Sequence, residues 1–161
     1  MADGGASNMI LLVTSLLICG AASGILLQSW TQTASSVGIN QEQLALDSKT
    51  KVTFSGDLGK TFFDSVDDRI DIFVQNSGSS ILDENEFGAF VEGQSASVVA
   101  PTPEFLNGAT SWSPGVVAKY TLQLDSGHNT GDELRVTVVV ATITSGGVVG
   151  SDSVTEVIKL G

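Results

Sequence analysis

Residues Met9–Leu27, MILLVTSLLICGAASGILL, run for nineteen positions without a charge, and Cys19 is the only ionisable side chain between Asp3 and Glu42. At ~1.5 Å rise per residue a helix of this length spans roughly 28 Å, close to the hydrocarbon thickness of a bilayer. Its apolar residues occupy every side and form no stripe, unlike a helix that lies on a soluble core. Inside lipid such a segment must pair every backbone N–H and C=O internally, which only a helix does alone. It therefore reads as a helix whose whole circumference has to be covered, either by a membrane or by neighbouring helices in the core of a filament. Everything after it follows a different pattern, so the chain divides into a helix and one exported domain.

The parts are a short polar N-terminus (1–8), a transmembrane helix (9–30), a spacer or stalk (31–42) and a β-domain (43–161). Ser7 or Asn8 can cap the helix through a side-chain oxygen. Ser15, Cys19, Gly20 and Gly24, with Ala21 beside them, place small residues four apart. That spacing lets a second helix approach closely in lipid and predicts helix association and a homo-oligomer. Trp30 suits the head-group level at the end of the span. Gly38 is the expected stop of any helical extension into the spacer. With no Lys or Arg before Lys49, orientation cannot be read from flanking charge. Cys19 is the sole cysteine and excludes an intrachain disulfide. Its position after Ile18, with no basic residue upstream, argues against lipidation and reads as packing.

From Gln43 the apolar period becomes two. Ile70, Ile72 and Val74 alternate through Arg69–Gln75, and Phe87, Ala89 and Val91 through Glu86–Glu92. Val116, Ala118, Tyr120, Leu122 and Leu124 do so through Val116–Asp125, as do Leu134, Val136, Val138 and Val140 through Glu133–Thr144. Such alternation marks half-buried antiparallel strands. Lys51–Ser55 and Val148–Leu160 add two more. Asn76-Ser77-Gly78, Pro114-Gly115, Ser126-Gly127 and Ser145-Gly146-Gly147 are the turn signals between them. About seven strands without an intervening helix predict a mainly β protein, an antiparallel β-sandwich of immunoglobulin-like size behind its N-terminal helix.

Chemistry is sparse. The chain has 161 residues, eighteen carboxylates against seven basic side chains, and a net charge of −11. That surface repels phosphate backbones and is not drawn to anionic lipid, so nucleic acid is excluded as a partner. It suits a high-salt habitat and an ordinary acidic extracellular domain equally. His128, the only histidine, sits in a Ser-Gly-His-Asn loop, and no nucleophile motif surrounds any serine for it to serve. Asp64, Asp67, Asp68 and Asp71, and Asp83, Glu84 and Glu86, offer oxygen ligands to Ca²⁺ but lack the EF-hand spacing. No phosphate loop, Cys/His metal pattern or dinucleotide fingerprint occurs, so no cofactor and no catalysis are expected.

Three stretches carry a family resemblance: SNMILLVTSLLICGAASGILLQSW, DRIDIFVQNSGSSILDENEFGAFVEG and WSPGVVAKYTLQLDSGHNTGDELRVTVV. They resemble the apolar helix, the strand–Asn-x-Gly–strand segment and the Pro-Gly strand with its Gly-Asp turn in archaellins and archaellum stator proteins. Archaellins and archaeal pilins carry a basic leader before the helix, and MADGGASN has no Lys or Arg. That departure favours the stator type, flagellar protein G and its relative F. The resemblance then implies a single-pass protein of the cell membrane with its immunoglobulin-like domain outside, holding the motor against the S-layer. The alternative is an archaellin- or pilin-like filament subunit with the same helix in the filament core. Partners follow as the membrane, the S-layer or another envelope protein, and other archaellum subunits. The C-terminal hairpin, Glu133–Thr144 with Val148–Leu160, is the expected partner-binding edge, at Val154, Val157 and Lys159.

Overall fold

A computed structural model describes residues 4–100, 103–125, 127–144 and 148–161, with side chains described from Asn8 onward. The Ser145-Gly146-Gly147 turn, Ser126 and the first three residues of the polar N-terminus lie outside the described residues. Two compact units part between Gln41 and Glu42.

The first unit is helical. Helix α1 covers Gly4–Lys49, 46 residues or roughly 69 Å at the standard rise, and its last eight belong to the second unit. The helix does not stop at Gly38. One glycine costs a helix about 1 kcal/mol against alanine, and the good helix formers Gln41 to Leu46 follow directly. The polar spacer is helical because its hydroxyls turn inward to the backbone. Thr31 donates to the Gln28 carbonyl at 2.9 Å, Thr33 to Ser29 at 2.9 Å, and Ser35 and Ser36 to Gln32 at 2.9 Å. Lys49 in the last turn complements the negative end of the helix dipole.

The second unit, Glu42–Gly161, is antiparallel and mainly β. Its strands are β1 (Val52–Ser55), β2 (Phe63–Asp64), β3 (Arg69–Asn76), β4 (Leu82–Val91), β5 (Gln94–Val98), β6 (Glu104–Phe105), β7 (Val117–Gln123), β8 (Glu133–Thr142) and β9 (Ser151–Lys159). They run in the order β1-β3-β7-β5-β4-β8-β9, with β2 added to β3 and β6 to β7. The sequence pattern showed neither β5 nor the two-residue strands. β5 is the corner of the sheet. Its first half pairs with β4 (Ala89↔Ala96, Val91↔Gln94) and its end with β7 (Ser97↔Gln123, Val98↔Leu122). The β4–β5 turn is a two-residue one at Glu92 and Gly93, with φ of 50° and 83°, the left-handed pair that type I′ hairpins need.

The alternating residues bury as their spacing requires. Ile70, Ile72 and Val74 of β3 and Ala118, Tyr120 and Leu122 of β7 share one core with Leu134, Val136, Val138 and Val140 of β8 and Ile158 of β9. Among these inward side chains the rings of Phe87 and Tyr120 stack at 3.6 Å and 6°, and Trp112 lies 5.6 Å from Tyr120. Among the described residues neither the Tyr120 hydroxyl nor the Trp112 Nε1 has a hydrogen-bond partner. Burial, with Glu84 and Asp83 adding repulsion, pushes the Tyr120 phenol well above its usual range.

Asn76 is a polar side chain buried against this core, and both ends of its amide are bonded. Its side-chain amide donates to the Ser80 and Trp112 carbonyls at 2.8 and 2.9 Å, and its Oδ1 accepts from Gly78 N at 3.0 Å. The same turn receives the end of α1. Ser79 N donates to the Lys49 carbonyl at 2.8 Å, and Gly78 N to Lys51 O at 2.9 Å. A Cβ at Gly78 would strike the Lys49 carbonyl oxygen and the Lys51 amide, so this approach requires glycine. On the other side Asp47 accepts from Ser151 N at 2.8 Å, Gln43 donates to Val149 O at 3.0 Å, and Gly150 leaves room for Leu46 and Thr50.

Two outcomes test this description. Residues 34–161 should fold alone, with a β-rich circular dichroism spectrum and a cooperative melt. Starting the chain at Lys51 should remove the Asp47, Gln43 and Lys49 bonds and lower stability by about 2 kcal/mol or more in denaturant titration. Tyr120→Phe deletes a buried hydroxyl that has no partner among the described residues, so it should leave stability at neutral pH unchanged or higher. Because the folded phenol is harder to ionise than the unfolded one, wild-type stability is complete below about pH 10 and declines above it. Tyr120→Phe should flatten that alkaline limb.

Candidate assembly surfaces

Three surfaces can bind another molecule. The first is α1, where the apolar span is long and apolar enough to cross a membrane and none of it is buried. Met9, Leu17 and Trp30 are between 69% and 74% exposed, so the chain itself offers no cover for them. Gly20 and Gly24 have open space where a Cβ would stand. Ser15 and Cys19 are exposed beside them, and Ser15 Oγ is bonded to the Leu12 carbonyl at 2.9 Å. Nearby, Ser23 Oγ donates to Cys19 O at 2.8 Å. These polar groups are satisfied within the helix, so a second helix could pack against them without leaving a donor unpaired.

The second surface is the β9 edge. β9 does stand at one end of the sheet order. Val154, Val157 and Lys159 do not form one surface there. Val154 packs against the core, whereas Val157 is 51% exposed on the opposite face with Lys159 two residues on. Both ends of the edge are occupied by the chain itself. Asp152 Oδ2 accepts from Val52 N at 3.0 Å, its Oδ1 meets Lys51 Nζ at 3.2 Å, and the Lys159 carbonyl accepts from Thr61 N at 2.8 Å. The sequence pattern could not show this seam, because Thr61 reaches β9 from ninety-eight residues away.

The third surface is chemical, and it is thin. His128 is half-buried beside a cavity of about 270 Å³ lined also by Ser95, Asp125, Glu92 and Gln94. No hydrogen bond joins Ser95, His128 and Asp125 among the described residues, so no relay is assembled. Among the described residues no group of three or more His, Cys, Asp or Glu is arranged to hold a metal ion. The two acidic runs have local uses instead. Asp64 Oδ1 accepts from Val66 N at 3.0 Å, Asp67 pairs with Arg69 at 3.1 Å, and Asp71 pairs with Lys119 at 3.0 Å and takes the Thr121 hydroxyl at 2.6 Å. Asp83 accepts from Asn85 N at 3.0 Å within a bulge, where the β4–β8 register steps from Leu82↔Thr142 to Phe87↔Val140.

The long uncovered helix, followed by an acidic β-unit without an assembled catalytic group among the described residues, is an arrangement suited to assembly. A search of curated proteins finds no match. Among solved structures, a chain of the archaeal flagellum of Methanospirillum hungatei strain JF1 is similar, at 12% identity with a TM-score of 0.57. The match covers 97% of this chain and 94% of that one, and it speaks for the fold. The sequence profile of the archaeal-type flagellins matches residues 2–149, through the apolar helix, the neck and most of the β-unit. This chain belongs to the archaeal-type flagellin family.

Proposed function

We propose that this chain is a non-enzymatic structural subunit of an archaellum filament. The apolar part of α1 would pack with copies of itself in the fibre core, and the acidic β-unit would be displayed outward. The observation that carries this reading is the family match, which takes in helix and β-unit together. The helix supports it: its apolar residues are uncovered all round, as a helix surrounded by equivalent helices requires. Resemblance to the chain from the Methanospirillum flagellum, over nearly the whole length of both, supports it at the level of fold.

The stationary anchor that the resemblance to flagellar proteins G and F first suggested is the weaker of the two readings. It depended on the composition of residues 1–8, and the family match points to the filament instead. Membrane insertion and an outer domain against the S-layer belong to that reading.

Assembly of such a subunit is a contest between short-range packing of the helices and long-range repulsion of the domains. Apart from Asp3, every charged residue lies in Glu42–Gly161, which leaves that unit at −10 of the chain's −11. Screening extends over ~10 Å at 0.1 M salt but only weakens charges beyond ~30 Å at 0.01 M.

Deleting the gene should abolish an extracellular fibre in which mass spectrometry finds this chain as a main component. Loss of swimming with the fibre intact would instead support the anchor. Gly20→Leu and Gly24→Leu should each reduce fibre yield without changing the melt of the β-unit, since a bulky side chain stands where helix backbones would meet. Isolated fibres should release subunits as salt is lowered from 0.1 M towards about 0.01 M, read as the sedimentable fraction.

A further inference from the structure

The outer face of the β4–β8–β9 layer differs from the rest of the acidic unit. The ladder aligns Phe90, Thr137 and Thr155 in one row and Gly88, Val139 and Ser153 in the next. All six point away from the core, and none is charged. Phe90 and Val139 are 39% and 36% exposed. The Thr137 and Thr155 hydroxyls bond to each other at 2.8 Å, so drying this face would not orphan them. Charges flank it: Arg135 opposes Val157 and its amide is bonded to Glu92, Glu133 opposes Lys159, and Glu86 lies two residues before Gly88 on β4. The equivalent face of the other layer is charged, with Arg69 and Asp71 on β3 and Lys119 on β7.

A second uncharged surface lies on different elements. From Gln94 to Ala118 the only charge is Glu104. The part between β6 and β7 is held firmly, with Trp112 buried, its carbonyl taken by Asn76 and Leu82, and Gly115 N bonded to Asn76 O at 2.7 Å. Asn107, Thr110 and Pro114 are exposed on it.

We infer that the Phe90–Thr137–Thr155 face of one copy docks on the Leu106–Val116 loop of a second copy of this chain. Electrostatics selects the occupant. Copies that each carry −10 on this unit repel on average, so close contact between like subunits is least opposed where neither side is charged. Symmetry selects the second surface: a face docked on its own equivalent closes into a two-fold pair, whereas a face docked on a different patch propagates along a fibre. The loop's fixed shape lowers the ordering entropy of such a contact. This inference rests on the filament-subunit reading.

The test uses the full chain and two exposed substitutions, Ser153→Lys on the face and Thr110→Glu on the loop. Each alone buries an unpaired charge, so the concentration needed for fibre formation should rise on the order of tenfold or more. An equal mixture of the two variants should restore assembly, because the lysine face of one meets the glutamate loop of the other. Unchanged melting by circular dichroism establishes that each variant folds; Thr155→Lys and Ser111→Glu serve if either does not. Wild-type assembly by both single variants overturns the inference, as does loss in only one of them or failure of the mixture to recover. In each of these cases the wild-type fibre keeps the filament reading standing. A wild-type chain that forms no fibre removes the filament reading and this contact with it.

Discussion

The structure of the β-unit depends on how the last turns of α1 are received at Thr50. A helix ends with carbonyls that have no partner of their own, and burying them without one is costly. Here Ser79 takes the Lys49 carbonyl, while Thr50 closes back on Leu46 through its amide at 2.8 Å and its hydroxyl at 2.7 Å. Two glycines, Gly78 and Gly150, leave the space, and Asn76 holds the first of them in place from inside the core. The Asn-Ser-Gly sequence is thus less a connector between strands than a socket. Strand β1 starts two residues later, already in register with β3 through Val52↔Asn76.

Charge is divided between the units as sharply as secondary structure. An uncharged helix can associate through dispersion and close backbone approach, and it needs an apolar surrounding to do so. An acidic domain stays dissolved and keeps its neighbours apart. Joined in one chain, the two act on association in opposite senses, and on the reading proposed above contact is favoured where charge is missing. This explains why a protein without an assembled active site among its described residues can still be specific. Its specificity would lie in where it is neutral.

Much of this was legible in the sequence. Period-two runs such as Ile70-Ile72-Val74 and Leu134-Val136-Val138-Val140 bury one face at every step, and local spacing alone decides that. β5 escaped because Gln94-Ser-Ala-Ser-Val carries almost no apolar contrast; its signal was the turn, where Glu-Gly is a weaker form of the Asn-Gly that favours type I′. Gly38 misled because a single glycine is outweighed by its neighbours. The acidic run Asp83–Glu86 was not legible as a bulge, because linear spacing cannot show that these residues are expelled from a ladder. Val154, Val157 and Lys159 were grouped by nearness in sequence, although strand parity sends the first to the opposite face. The neutral outer face depends on register between three strands, which no single stretch contains.

The seam between β1 and β9 has a consequence for how this protein can polymerise. The ends of the sheet order are stitched to one another by Val52–Asp152 and by Thr61, whose amide meets Lys159 and whose carbonyl accepts from Gly161 at 2.9 Å. Glu156 has the parity of the core residues Val154 and Ile158 yet is exposed, a charge set against any strand that tried to extend the sheet. A valine-rich β-unit would otherwise be at risk of cross-β stacking, in which backbone edges recruit one another without limit. With both ends of the β9 edge occupied and Glu156 exposed between them, the sheet offers little free edge to such stacking, and a polymer built through side-chain surfaces would not need that edge.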